Sequence, residues 1–200
     1  MPLKTNRIFC IGRNYAEHAE ELNNQVPSDI FVFMKAPQCL ISETSTSIKY
    51  PPHGKELQQE VELVVRMANQ TEISHIALGL DLTLRDIQAQ LKNAGLSWEK
   101  AKSFEQSASC TEFYPYDKSI DLQNIELKCY VNDQLKQNSN SANMIHSVQK
   151  IINHLNEIWI LEEGDLIFTG TPAGVSCIKP GDNVKLENAL IGTKTWTVVE

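Results

Sequence analysis

The chain has no CxxC pair, no long apolar run, few glycines and prolines, and no excess of positive charge. Each absence excludes something. Its five cysteines (Cys10, Cys39, Cys110, Cys129 and Cys177) are odd in number and widely spaced, which fits free thiols in a reducing compartment rather than a disulfide frame. No four-ligand spacing of Cys and His suits a structural zinc ion. Apolar runs of only a few residues leave no membrane span, and the opening "MPLKTNRIFC" lacks the apolar core of a signal peptide, so a cytoplasmic protein is expected. A formal net charge of −7 argues against nucleic acid or an anionic membrane as partner. With 42% hydrophobic residues, no low-complexity segment and no internal repeat, the 200 residues are expected to form one domain over 1–200.

The pattern of elements is β-rich. "RIFCIGRNY" reads as a strand breaking at Gly12, and "YAEHAEEL" as a short helix after Asn14, a candidate N-cap. "DIFVFMKAP" reads as a strand closed by Pro37, and "SETSTSIKYPPHGKE" as loop. "EVELVVRM" and "IALGLDLTL" are strands, the second leading into the helix "RDIQAQLKNAG", ended by Gly95. "SWEKAKSFEQSASCTEF" has no regular period. "NIELKCYVND" and "QLKQNSNS" form a hairpin around Asn-Asp, and Ile145, Val148, Ile151, Ile152 and Leu155 mark an amphipathic helix. The C-terminal stretch reads as strands separated by Gly/Pro turns. The class is α+β, built around mixed or antiparallel sheet.

Several stretches carry chemistry. In "QQEVELVVRM", Val61, Leu63 and Val65 alternate against a face that begins with Glu60 and Glu62. Two carboxylates about 7 Å apart on one face can reach a single hard cation, and Asp81, flanked by Leu80 and Leu82, offers a third oxygen ligand. The plainer alternative puts both glutamates in water and makes Asp81 a helix cap. His18 and Glu21 share one helix face at i, i+3, a spacing that fixes an imidazole tautomer, although a surface helix also carries such pairs. Lys102 in "EKAKSF" is either a pocket ammonium or a solvated lysine. "FTGTPAGV" lacks the Gly-Lys-Ser/Thr of a nucleotide loop; it is a strand-ending turn, or one where Gly170 admits a ligand and Thr171 bonds it.

Taken in order, "CIGRNYAEHAEEL", "EVEL", "GLDLTLRDIQ", "WEKAKSF", "GDLIFTGTPAGV" and "KPGD" resemble the fumarylacetoacetate hydrolase family, in particular its short acylpyruvate hydrolase branch. The resemblance implies a β-rich roll of mixed sheets and a homodimer. It implies that Glu60, Glu62 and Asp81 hold Mg²⁺ or Mn²⁺, that His18 and Glu21 activate water from a lid over residues 14–26, and that Lys102 is the active-site lysine. Arg85, Gln88, Gly170 and Thr171 would bind a small 2-oxo acid. The lid is expected to order only with substrate, because its apolar residues are few. Three features depart from the family pattern: Gln58 and Gln59 where a histidine is common, a short connection before Asp81, and Ser176 where "GVG" becomes "GVS".

The implied reaction is hydrolysis of the C3–C4 bond of an acylpyruvate such as fumarylpyruvate, giving pyruvate and a carboxylic acid. The same enolate chemistry serves oxaloacetate decarboxylation or keto–enol tautomerisation, the alternative. A catalytically idle 2-oxo-acid binder is the second alternative.

Overall fold

The computed structural model describes residues 4–21 and 29–200. The chain begins with β1 (Ile8–Gly12), α1 (Ala16–Glu21), β2 (Phe31–Lys35), β3 (Ser47–Lys49) and β4 (Leu57–Gln59). Then come β5 (Val61–Met67), β6 (Ile73–Asp81), β7 (Thr83–Leu84), α2 (Arg85–Asn93), α3 (Glu99–Lys102), β8 (Ala108–Cys110) and β9 (Tyr114–Pro115). The remainder is β10 (Glu126–Val131), β11 (Gln134–Asn140), α4 (Val148–Ile158), β12 (Leu166–Phe168), β13 (Ser176–Cys177), β14 (Asn183–Asn188) and β15 (Gly192–Val199). No helix among the described residues is long and apolar enough to cross a membrane.

The strands form three sheets, mixed as expected. The largest runs β2-β1-β12-β5-β6-β8, with β9 also on β6; β1 and β12 are parallel and their neighbours antiparallel. The second runs β11-β10-β14-β15-β3, and the third is β13-β4-β7. The main core lies on one face of the large sheet, where Leu63, Val65 and Leu78 meet Leu127, Leu186 and Trp196. A smaller cluster of Ile8, Cys10, Val64, Ala77 and Phe168 covers the opposite face. Strand β5 is therefore buried on both sides, and the face carrying Glu60 and Glu62 is not a solvated one.

Local chemistry explains the ends of several elements. At the end of α2, Gly95 has φ +66°, and the Leu96 and Gly95 N–H groups donate to the Leu91 and Lys92 carbonyls, closing the helix with a left-handed residue. Asn132 and Asp133 take φ +50° and +62°, the two-residue hairpin turn that the sequence predicts. Ser147 caps α4 by accepting from Lys150 N, and Val148, Ile151, Ile152 and Leu155 are buried while Ile145 precedes the helix.

Two expectations need correction. Ser47–Lys49, expected to be loop, adds a parallel strand to β15, because Ile48 is an isolated apolar residue drawn into the core. The stretch without a period holds α3 and β8, a single turn and a three-residue strand, both too short to show one.

Asn14 does not cap α1. Fully buried, its Nδ2 donates to the carbonyls of His146 (3.0 Å) and Thr169 (2.8 Å), while its Oδ1 accepts from His146 N (2.8 Å). It ties the end of β1 to the approach to α4 and to the exit of β12. Asn14→Ala strands three buried backbone groups and is expected to cost about 3 kcal/mol of stability, read by urea unfolding. A change below about 0.5 kcal/mol would show that water replaces all three bonds.

Candidate active site

One end of the large sheet gathers the chemistry. There β1, β6 and β12 end and β5 begins, so Glu60, Glu62 and Asp81 converge with oxygens within 4.8 Å of one another. Their exposures are 3%, 2% and 1%. Three carboxylates cannot be desolvated together without positive charge, since each buried ion alone would cost several kcal/mol. Asp81 does not cap α2, whose N-cap position is Leu84.

Part of that charge comes from the chain. Lys102 Nζ lies 2.7 Å from both Glu60 Oε2 and Asp81 Oδ2, Lys35 Nζ lies 2.8 Å from Asp81 Oδ1, and Arg85 pairs with Glu60 Oε1. Burial raises the Glu60 carboxyl, but Lys102 and Arg85 outweigh it and hold the group well below the usual carboxylate range. Glu62 is different. It accepts from Gly170 N at 2.7 Å and makes no ion pair among the described residues. Burial, followed by the charge of Asp81, pushes its carboxyl well above the ordinary value. A divalent cation fits this unmet demand. An octahedral ion about 2.1 Å from each oxygen needs ligand oxygens roughly 3–4 Å apart, a separation compatible with oxygens that all lie within 4.8 Å of one another. All-oxygen donors suit Mg²⁺ or Mn²⁺.

His18 is 6% exposed and lines the same cleft, of about 190 Å³. Its Nδ1 lies 3.1 Å from Glu21 Oε2, and Glu21 Oε1 accepts from Gly174 N at 3.1 Å. A carboxylate at Nδ1 favours the proton there and leaves the Nε2 lone pair as the basic position. The expected lid over 14–26 is described as far as Glu21, and residues 22–26 lie outside the described residues. Contrary to the expectation of weak docking, Tyr15, His18 and Ala19 are buried, with Glu21 fastened to the turn after β12.

Arg85 and Gln88 line the cleft from α2 and bond to each other at 2.6 Å. Thr171 lines it too; its Oγ1 accepts from Gln137 Nε2 at 2.8 Å, which leaves its own hydrogen to donate. Gly170 does not take the expected part of admitting ligand. Its φ of +102° brings it against its own chain, where a Cβ would meet Asn14 Cβ at 2.7 Å, and its N–H holds Glu62.

The departures at Gln58, Gln59 and Ser176 have structural partners. Gln59 Oε1 accepts from both Ser176 N (3.1 Å) and Ser176 Oγ (3.2 Å), so two of them answer each other across the third sheet. Gln58 Oε1 accepts from Arg85 Nε at 2.8 Å and helps aim the guanidinium at Glu60. Sequence reasoning missed Lys35, 1% exposed beneath the triad, whose ammonium also donates to the Leu82 and Lys102 carbonyls. The signal existed: a charge ending an apolar strand, as for Asp81. It also missed Arg13, Lys92 and Trp98, which line the cleft.

Comparison with known proteins shows the family and the fold. The family model for the fumarylacetoacetate hydrolase C-terminal domain matches residues 7–199. A mitochondrial oxaloacetate decarboxylase of Dictyostelium discoideum is 37% identical over 189 residues, covering 90% of this chain and 87% of that protein. The oxaloacetate tautomerase YcgM of Escherichia coli is 34% identical over 190 residues, covering 90% and 86%. A fumarylpyruvate hydrolase from Pseudomonas aeruginosa, solved with Mn²⁺ and pyruvate, superposes with a TM-score of 0.92 at 28% identity, covering 98% of this chain and 91% of that one. The relatives more similar in sequence are an oxaloacetate decarboxylase and an oxaloacetate tautomerase, whereas the solved structure is a fumarylpyruvate hydrolase.

Proposed function

Since the chain belongs to the fumarylacetoacetate hydrolase family, we propose that it is a divalent-metal-dependent enzyme acting at C3 of oxaloacetate, chiefly by keto–enol tautomerisation. The observation that carries this reading is one small cleft lined by the carboxylate triad, the Lys102 ammonium and the His18–Glu21 pair. A cation held by Glu60, Glu62 and Asp81 would supply Lewis acidity to a 2-oxo acid. The residues do the rest. Lys102 keeps positive charge beside the developing enolate, Arg85 and Gln88 position the carboxylate next to the ketone, and Thr171 donates a hydrogen bond. In one direction His18 Nε2 takes the C3 proton of the keto form and the C2 oxygen gains one from solvent. In the other the enol O–H gives its proton to solvent and the His18 imidazolium returns one to C3, with Glu21 supporting the charge. The cleft suits a C4 acid, being smaller than the roughly 300 Å³ typical of sites for drug-sized ligands.

Acylpyruvate hydrolysis is the second reading, favoured by the structural similarity to the fumarylpyruvate hydrolase. There His18 would deprotonate water instead of carbon. A direct test follows the ultraviolet absorbance of enol-oxaloacetate with Mg²⁺-loaded protein, beside pyruvate release from oxaloacetate and from acylpyruvates. Fast enol decay that chelator abolishes, with slow acylpyruvate cleavage, is expected. Cleavage of acylpyruvates with no effect on the enol would reverse the order, and no acceleration of any reaction would end both readings.

A further inference from the structure

The charges lining the cleft are unevenly divided. All three carboxylates sit at the floor, with Lys102, Lys35 and Arg85 paired against Glu60 and Asp81. The other wall carries more cations. From α2, Arg85, Gln88, Ala89 and Lys92 face the cleft at i, i+3, i+4 and i+7, one helix stripe that runs about 10 Å from the floor outward. Arg13 lines the same cleft from the end of β1, its guanidinium over the Phe31 ring at 5.8 Å, and makes no ion pair among the described residues. Arg13, Arg85 and Lys92 line one space, and there burial, then the charges of Arg13 and Arg85, push the Lys92 ammonium down.

The backbone at Arg13 adds a second observation. Its φ is +60°, a conformation that costs an ordinary L-residue of order 1 kcal/mol or more and that glycine adopts freely. Gly12 is next to it, yet the left-handed position carries arginine. A side chain kept at such a place while lining a cleft has a use for its charge.

We propose that Arg13, with Lys92 beside it, forms a second anionic subsite that receives the distal carboxylate of a dicarboxylic 2-oxo acid. The subsite rests on the reading of the floor as a 2-oxo-acid site. It selects dicarboxylates over monocarboxylates, and it also steers the reaction. Decarboxylation breaks the C3–C4 bond, its electron pair becoming the enolate of pyruvate as neutral CO₂ departs. A distal carboxylate held in an ion pair loses that pairing on becoming CO₂. Arg13 therefore opposes carbon–carbon cleavage and leaves proton transfer at C3, which retains the carboxylate, as the favoured path.

The test uses the full chain loaded with Mg²⁺ and two variants, Arg13→Gln and Arg13→Gly. Calorimetric titration with 2-oxoglutarate, which has a second carboxylate, should show about tenfold or more weaker binding in both. Pyruvate, which lacks one, should bind within about twofold of wild type. Melting temperature should hold for Arg13→Gly, since glycine suits the backbone. With oxaloacetate, KM should rise and the ratio of CO₂ release to enol turnover should increase. Equal loss of both ligands, or wild-type protein that binds them equally, would overturn the subsite even if oxaloacetate is the substrate. Loss confined to 2-oxoglutarate in a protein inactive on oxaloacetate would uphold the subsite and refute the proposed reaction instead.

Discussion

Glu62→Gln is expected to weaken Mg²⁺ or Mn²⁺ binding by on the order of 10²-fold or more while making the metal-free protein more stable as pH rises above the ordinary carboxylate range. The two effects have one cause. Glu62 is 2% exposed, lies with Glu60 and Asp81, and among the described residues accepts from one backbone N–H, that of Gly170. Its carboxyl is raised by burial and by Asp81, so the folded metal-free protein binds this proton more tightly than the unfolded chain. Stability is then fully present below the ordinary carboxylate range and is lost as pH rises through the folded value. Glutamine keeps an acceptor for Gly170 N and never ionises, so the variant lacks that loss and its advantage grows with pH. Metal must displace the proton, so metal affinity in the wild type rises with pH over the same window.

Asp81→Asn provides the contrast. It also removes a ligand, but it leaves the ammonium of Lys35, fully buried, without its carboxylate. Breaking a buried pair from one side costs about 3–5 kcal/mol, so this variant should melt earlier at every pH. Calorimetric metal titrations and melting curves over a pH series, with and without chelator, decide the matter. Equal destabilisation by both substitutions would mean that Glu62 already has a compensating positive partner, and the cation site would lose its main support.

The site was legible where a residue contradicts its surroundings. Glu60, Glu62 and Asp81 stood out because charges in apolar strands need a reason, and the structure buries all three together. Lys35 obeys the same logic, but at the end of a strand before Pro37 it reads as a boundary. Arg13 belongs to no period; only its backbone angle and its place in the cleft mark it. The pairing of Gln59 with Ser176 joins residues 117 apart and is a matter of tertiary register. The mixed-sheet roll followed from family resemblance more than from periodicity, since β3, α3 and β8 are too short to leave a pattern. The choice between hydrolysis and tautomerisation was not legible, because the same lysine, histidine and carboxylates serve both.

His18→Ala should separate those reactions. It is expected to lower enol–keto turnover by on the order of 10²-fold or more, with metal affinity unchanged, because His18 Nδ1 is engaged by Glu21 and His18 stands outside the three carboxylates that would hold the ion. Any acylpyruvate hydrolysis should fall as far, since both reactions need a base, on carbon in one case and on water in the other. Decarboxylation needs none: C–C cleavage itself supplies the enolate's electron pair, and the proton that completes pyruvate can come from solvent. Its rate should change by less than about tenfold. Glu21→Gln, which can still accept from Nδ1–H but cannot balance an imidazolium, should fall between wild type and His18→Ala in the proton-transfer reactions. The assays are enol decay, pyruvate from acylpyruvate and CO₂ from oxaloacetate, run on one metal-loaded preparation of each variant. If all three fell together with metal still bound, His18 would be seating α1 over the cleft, where Tyr15 and Ala19 are already buried, rather than moving a proton.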